Sequence, residues 1–437
     1  MDMKKYDIIV LGGGPAGLTA AREMGKTGLK VLLIEKETIG CRARSWITWY
    51  SEIERSGYKG CVINKINTLS FSSFLGGMYD FTGAGAAVVN TKKLLLALKN
   101  EAQNAGVRVH ENEKFLRYSE GKGPVVIQTQ RAVYSAKYCV DAMGEGSRIQ
   151  QGISGNMPDN SYMGCFAFEL TGLNVHDISK AMIFDAAFPG KDYFWFIPYS
   201  KHEALAGCFT FERLDDSTIK RVKSSLDDYI KLLKLRGRIK KTIRGNIPLM
   251  ERRYFRSGGI LFCGDSISSP LPSSGFGLLR SMKEAGILAR CVNKGFKTGN
   301  IRYEQRIIAS RYPGYELHYL ASEILKNMND ILLNKSISHM KDHNKAFIKD
   351  FLRGDDLSLL FVSQALMAIF RTFTLREIAS MALRRDYKEF LLRAARIYPK
   401  ATPEAAGFMI KELMGKLNIG KGGKEHADHG TGKNTGN

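Results

Sequence analysis

Three glycines and one acid define the first chemistry this chain can do. In IIVLGGGPAGLTAAREMGKTGLKVLLIE, residues 8–35, an apolar run breaks at a glycine cluster, a helical stretch follows, and a second apolar run ends on Glu35. Gly12 permits a tight turn, Gly14 lets the backbone approach a pyrophosphate, and Gly17, next to Ala16, lets the helix lie close on the strand. The first N–H groups of that helix then face the phosphates. Glu35 stands 18 positions after Gly17, where a carboxylate accepts from both hydroxyls of an adenosine ribose. Strand, turn, helix and acidic strand end agree on a bound dinucleotide.

Two later segments sharpen this. VDAMGEGSR (residues 140–148) is an apolar strand ending in Asp-x-x-Gly, with Gly144 as its glycine. ILFCGDSISSPLPSSGFGL (residues 260–278) is an apolar strand ending in Gly264-Asp265, then a proline and glycine turn. Together the three resemble the flavoprotein superfamily of reductases, aromatic hydroxylases, halogenases and lycopene cyclases. The resemblance implies FAD, with Gly264 and Asp265 at the ribityl chain and the Gly275–Leu278 backbone at the pyrimidine edge. A helix starting there stabilises the negative charge of reduced flavin.

Within that superfamily the chain resembles the geranylgeranyl reductases over roughly residues 5–320. From Asp265 the spacing to Pro272, Gly275, Gly277 and Leu278 matches their third motif. Their substrate-domain motif, YxWxFP, corresponds to YFWFIP here, with Tyr193, Trp195 and Pro198 in place and Ile197 replacing Phe. The halogenase version, WxWxIP, also misses by one residue, at Tyr193. Two departures stand out. The reductases carry a CGEG-like loop where this chain reads GCRARSWITW, and Cys41 is out of register with the family's cysteine. They also place an FAD-contacting arginine at the position of Thr91, which leaves Lys92 or Lys93 as substitutes.

These residues need elements to hold them. The pattern predicts an α/β fold: an interrupted Rossmann-type FAD-binding domain, an inserted antiparallel β-sheet substrate domain, and a helical C-terminal region. The expected division is 1–155 and 258–315 for the FAD domain, 156–257 for the sheet, 316–418 for the helices and 419–437 for a disordered tail. Within the first part, residues 41–90 read as an irregular segment facing the substrate. Amphipathic periodicity predicts helices over residues 91–105 and 222–235. A cofactor held by one domain would thus face a pocket built by the other.

Composition bounds the rest. The 437 residues allow two or three domains, and 44% hydrophobic content suits real cores. Seven cysteines, dispersed and never spaced CxxC, point to a reducing cytosol and away from disulfides or zinc. His339 and His343 would share a helix face, but they lack a third ligand, so no metal is expected. His426 and His429 fall in the tail. The late apolar stretch 357–370 falls short of the ~20 residues of a membrane span and reads as a core helix rather than a lipid tunnel. A net charge of +22 fits a solvated lysine-rich exterior, or peripheral contact with anionic lipid. No module or aromatic-laced basic stripe supports nucleic acid.

The resemblance therefore implies an FAD enzyme that saturates carbon–carbon double bonds of an isoprenoid or isoprenoid lipid. Tyr193 and Trp195 are nominated as its aromatic wall, and Tyr193 or Cys41 as proton donor. No second GxGxxG has its own strand and helix, so the electron donor is a transient nicotinamide or a ferredoxin-like carrier. The alternatives are a monooxygenase or halogenase of a soluble aromatic, a lycopene-cyclase-like enzyme without net redox, and a flavoprotein that only passes electrons.

Overall fold

The computed structural model describes residues 3–353 except 122, 251–253, 312–313 and 344, together with residues 372 and 377. Expectations for residues 357–370, the tail and its two histidines lie outside the described residues.

Lys4–Leu11 is the centre of the first sheet. Its apolar residues Ile8 to Leu11 are buried on both faces, as a strand covered on both sides requires. Val31–Ile34 and then Arg108–His110 extend the sheet in parallel on one side. Val133–Asp141 and then Ile260–Phe262 extend it in parallel on the other. The chain order therefore switches direction at Lys4–Leu11, where open α/β sheets bind ligands beyond their strand ends. An antiparallel hairpin, Phe115–Ser119 with Val125–Thr129, lies against Val133–Asp141. Pro15–Gly25, Thr91–Asn104 and Leu278–Thr298 are helices whose apolar residues join the core of this sheet.

The second sheet has eight strands, in the order Arg238–Pro248, Tyr162–Thr171, Glu203–Thr210, Asp192–Pro198, Lys180–Ala186, Val62–Ser73, Met78–Val89, Trp46–Trp49. Period-2 alternation sorts its side chains. Tyr193, Trp195 and Ile197 belong to the aromatic cluster of one face, whereas Phe194 and Phe196 join the opposite cluster under the Asp216–Leu232 helix. That helix starts at Asp215, whose carboxylate accepts from Thr218 N, and it buries Val222, Leu226 and Tyr229.

Two expectations change. Residues 41–90 are not irregular, because they supply three strands of the second sheet, which is thus built from two separated stretches of chain. The Lys180–Ala186 strand pairs in parallel with Val62–Ser73, so the sheet is mixed rather than purely antiparallel. The histidine pair also fails to form on one helix. Asp330–His339 ends at His339, a 3₁₀ turn comes next, and His343 lies beyond it. Among the described residues no group of side chains could hold a metal ion, and no helix is long and apolar enough to cross a membrane.

Candidate cofactor and substrate site

A cavity of about 1020 Å³ opens at the switch point. It is lined by the residues just past the ends of the five parallel strands of the first sheet. Gly12, Gly14 and Ala16 come after Leu11, Glu35 to Glu37 after Ile34, and Glu113 to Phe115 after His110. Ala142 to Gly146 come after Asp141, and Gly264 and Asp265 after Phe262. Three sequence motifs far apart in the chain thus meet at one edge.

The glycine turn fits a pyrophosphate for steric reasons. Gly12 has φ +106°, and a Cβ there would stand 2.3 Å from the Ala142 carbonyl oxygen. A Cβ at Gly17 would stand 2.0 Å from the Gly12 carbonyl oxygen, so Gly17 serves helix–strand contact and does not line the cavity. Gly14 faces open space. The two helices that begin at the cavity, Pro15–Gly25 and Leu278–Thr298, have no side-chain cap. By contrast, Asn90, Ser147, Asp215 and Asn329 cap the helices they precede. An uncapped N-terminus leaves backbone donors and positive dipole ends for an anion.

Glu35 is held rigidly: Gly13 N donates to Oε2 at 2.7 Å and Glu37 N to Oε1 at 3.1 Å. Each oxygen keeps a lone pair for a ribose hydroxyl. Nearby, buried Glu113 accepts from Thr129 Oγ1 (2.6 Å) and Tyr134 OH (2.8 Å) and contacts His110 Nδ1 (2.9 Å), which fixes this end of the cavity. Asp141 accepts from Met143 N at 3.0 Å and shapes the turn that brings Gly144 to the lining.

Asp265 lines the same cavity, next to Gly264, where a Cβ would stand 2.9 Å from Ala16 Cβ. Burial pushes its carboxyl up to about 6, with Glu284 and Glu145 adding to the rise and the Arg44 guanidinium opposing it. A partly buried carboxyl that lines a cavity is placed to meet a hydroxyl-bearing ligand. Gly275, Gly277 and Leu278 line the cavity, and so does Pro270, whereas Pro272 is buried and does not. Pro270 is also the residue that a side chain at Gly277 would strike, at 2.8 Å.

Behind this loop a buried ion pair fixes its shape. Arg311 Nε and Nη2 each donate to Glu284 at 2.8 Å, and Nη1 donates to the Ile267 carbonyl at 2.8 Å. Ser269 Oγ donates to the same glutamate. His318 meets Ser273 Oγ through Nδ1 at 2.6 Å and stacks on Phe351. Burial pushes its pKa down to about 3, with Arg280 adding, so it is neutral.

The loop after Glu35 supplies residues the sequence reading missed. Arg42, Ala43, Arg44 and Trp46 line the cavity, whereas Lys92 and Lys93 are exposed and do not. Thr91, at the family's arginine position, lines it with its Oγ1 buried and without a hydrogen-bond partner. Arg42 pairs with Glu37, but Arg44 forms no ion pair among the described residues and lies over the Trp46 ring at 5.5 Å. Alternating aromatics in SWITW were a strand signal that could have revealed this. Met143, Arg148, Ile247 and Ser281 also line the cavity.

The nominated catalytic residues separate. Trp46 meets Trp195 edge-on at 6.3 Å, Trp195 stacks with Phe209 at 6.1 Å, and Tyr193 lies 5.2 Å from Phe209. Tyr193 and Trp195 thus belong to an aromatic layer behind Trp46 and do not line the cavity directly. Trp195 lies flat on Gly207, where a Cβ would come within 2.1 Å of its ring. Its Nε1 is buried without a hydrogen-bond partner. Burial pushes the Tyr193 phenol up to about 12. Cys41 is exposed on the loop, donating to Glu37 Oε2 at 3.2 Å, and burial together with that carboxylate raises its thiol.

Comparison with known proteins agrees with this geometry. The family model described as lycopene cyclase protein matches residues 7–355. Digeranylgeranylglycerophospholipid reductase 1 of Methanosphaera stadtmanae is 24% identical over 396 residues, covering 82% of this chain and 93% of its own. Capsanthin/capsorubin synthase of Capsicum annuum is 22% identical over 320 residues, covering 67% of this chain, and the match spans 61% of that enzyme. Among solved structures, a geranylgeranyl bacteriochlorophyll reductase-like protein of Thermoplasma acidophilum superposes with a TM-score of 0.72 at 19% identity, covering 88% of this chain and all of that one. A flavin-dependent brominase gives 0.64 at 16%, covering 80% and 94%. The glycine turn, Glu35, Asp265 and the uncapped helix ends fit FAD, the cofactor of this enzyme class. The chain belongs to the lycopene cyclase protein family, within the FAD-dependent oxidoreductases that also include the geranylgeranyl reductases.

Proposed function

We propose that this enzyme saturates carbon–carbon double bonds of an isoprenoid chain carried by a lipid or lipid precursor. The observation that carries the reading is the apolar aromatic layer that reaches the cofactor cavity at Trp46. It continues through Trp195, Phe209 and Tyr193, and Trp49 meets Phe276 of the third motif edge-on at 6.2 Å. An isolated alkene offers almost nothing to hydrogen-bond, so such a site works by enclosure and orientation. Rigid aromatic side chains hold a flexible chain at low entropy cost. The near-complete coverage of the digeranylgeranylglycerophospholipid reductase supports the same substrate class.

Reduced FAD, when bound, supplies the hydride. Asp265 would hold the ribityl chain, and the uncapped start of the Leu278–Thr298 helix would offer its backbone donors to the negative charge of the reduced ring. The aromatic layer excludes water. Neither nominated proton donor lines the cavity: Tyr193 is buried in the aromatic layer behind Trp46, and Cys41 lies on the exposed loop. A transient nicotinamide or an iron–sulfur carrier delivers the electrons.

The family match and the capsanthin/capsorubin synthase relative favour one second reading, a cyclase without net redox. One experiment separates them. The flavoprotein is reduced without oxygen, an unsaturated isoprenoid is added, and flavin absorbance and product mass are followed. Saturable reoxidation with a product heavier by two hydrogens is expected. A product of unchanged mass with the flavin still reduced supports the cyclase, and no product of either kind, with the flavin reoxidised only once oxygen is admitted, overturns both readings.

A further inference from the structure

Five cations line the cavity among the described residues, and four of them, Lys36, Arg42, Lys114 and Arg148, are exposed. Arg44 is the one that is partly buried, and it forms no ion pair among the described residues. The chain on either side of it is pinned to the second sheet. Lys241 Nζ donates to the Ala43 carbonyl at 3.0 Å, and Tyr199 OH donates to the Ser45 carbonyl at 3.2 Å. Trp46 then enters the strand Trp46–Trp49, opposite Val89. The guanidinium lies 5.5 Å from the centroid of the Trp46 ring. It also lies on the strand surface at Gly245, where Nη1 stands 3.4 Å from the place of a Cβ. A ring face and a bare strand hold the guanidinium plane while its N–H donors stay free for a ligand.

Its place along the cavity decides what that charge meets. Gly245 and Ile247 are two apart on one strand and so share a face. Ile247 lines the cavity, and its Cδ1 stands 3.1 Å from where a Cβ at Gly275 would be, in the loop assigned to the flavin's pyrimidine edge. Electrostatics agree: burial raises the Asp265 carboxyl, and the Arg44 guanidinium opposes that rise. At the nucleotide end, Glu37 has Arg42 as its partner. Arg44 therefore belongs to the ring end of the site, whereas the glycine turn takes the diphosphate.

We propose that Arg44 sets the redox poise of the cofactor, by supplying a positive charge that is matched when the flavin is reduced. Two electrons and one proton entering the ring leave it with one negative charge, whereas the oxidised ring is neutral. A fixed cation beside the ring therefore favours the reduced form, and more strongly in a partly buried site than in water. Arg44 adds to the positive end of the Leu278–Thr298 helix, which acts in the same sense. The inference rests on FAD in this cavity and not on the substrate, so it can fail while the reductase reading stands.

The midpoint potential of the holoprotein's flavin is measured by anaerobic reduction against a reference dye, for the parent, Arg44→Met and Arg44→Lys. Arg44→Met keeps a side chain on Trp46 without its charge. It should lower the affinity for reduced FAD, relative to that for oxidised FAD, by about tenfold or more. For a two-electron couple that ratio reads as a potential about 30 mV more negative. Arg44→Lys should recover most of the difference. Arg44→Gln, which keeps N–H donors and loses the charge, gives the same comparison if Arg44→Met does not retain its flavin. The proposal is overturned if the uncharged variant changes that ratio less than twofold, or if Arg44→Lys falls as far as Arg44→Met. Titration of the apoproteins closes two other routes. Equal loss of both FAD forms puts the charge on the diphosphate and overturns the proposal. An unchanged potential with weaker binding of geranylgeranyl phosphate, but not of geranylgeraniol, puts it on a substrate headgroup and overturns it as well.

Discussion

At the scale of single residues, Asp265 is in tension between folding and cofactor binding. Its carboxyl is raised from 3.8 to about 6, chiefly by burial. Between those values the folded chain holds the proton more tightly than the unfolded chain, so stability falls as pH rises through the window. Above it, the buried charge costs about 1–3 kcal/mol. Asp265→Asn should therefore raise the melting temperature of the FAD-free protein near pH 8 and leave it little changed near pH 4. The same variant should weaken FAD by about tenfold or more, since a hydrogen bond to a charged group is lost. Calorimetric melting at the two pH values and a flavin-fluorescence titration check both halves. A variant that is no more stable at high pH would show that the carboxylate carries no burial penalty.

At the scale of elements, the third motif depends on a helix that no cofactor motif announces. Arg311, at the end of Tyr303–Arg311, ties Glu284 to the Ile267 carbonyl. Arg311→Met should cost about 3–5 kcal/mol in urea unfolding, because it strips a buried carboxylate of its principal partner. Adding Glu284→Met should restore much of that loss, as replacing a whole buried pair is often neutral. Only part of this arrangement could be read from the sequence. The Gly12 turn, Glu35 and the Gly264–Leu278 segment were legible because tight backbone approach restricts residue type at fixed spacing. The alternation in YFWFIP was legible because a strand's period is two. Residues 41–90 were not: their strands are short on apolar alternation and rich in Gly, Ser and Thr, and the one pairing that joins them to the rest of the sheet spans more than a hundred residues, as Thr68 with Lys180. Arg44 and Trp46 were missed with them, and Pro270 was passed over for Pro272, since spacing along a loop does not say which side of it faces the cavity.

At the scale of the whole molecule, the cavity draws on the ends of five strands, so filling it should stabilise the fold around the first sheet as a unit. FAD at a hundredfold excess over its dissociation constant should add about 2.7 kcal/mol. ADP should reproduce part of the rise in melting temperature and riboflavin little of it, because the glycine turn and Glu35 hold the nucleotide half. Scanning calorimetry with each ligand checks this, and a riboflavin effect equal to that of ADP would contradict it. The route of the chain between the two sheets has a further consequence, for the molecule as it is made. Lys4–Leu11 gains its second neighbour only when Val133–Asp141 exists, and Val62–Ser73 waits for Lys180–Ala186. Such distant pairings slow folding, because the loop entropy is lost before the contacts form. The excursion that carries Arg44 and Trp46 to the cofactor thus leaves every half-synthesised copy with an unpaired strand edge.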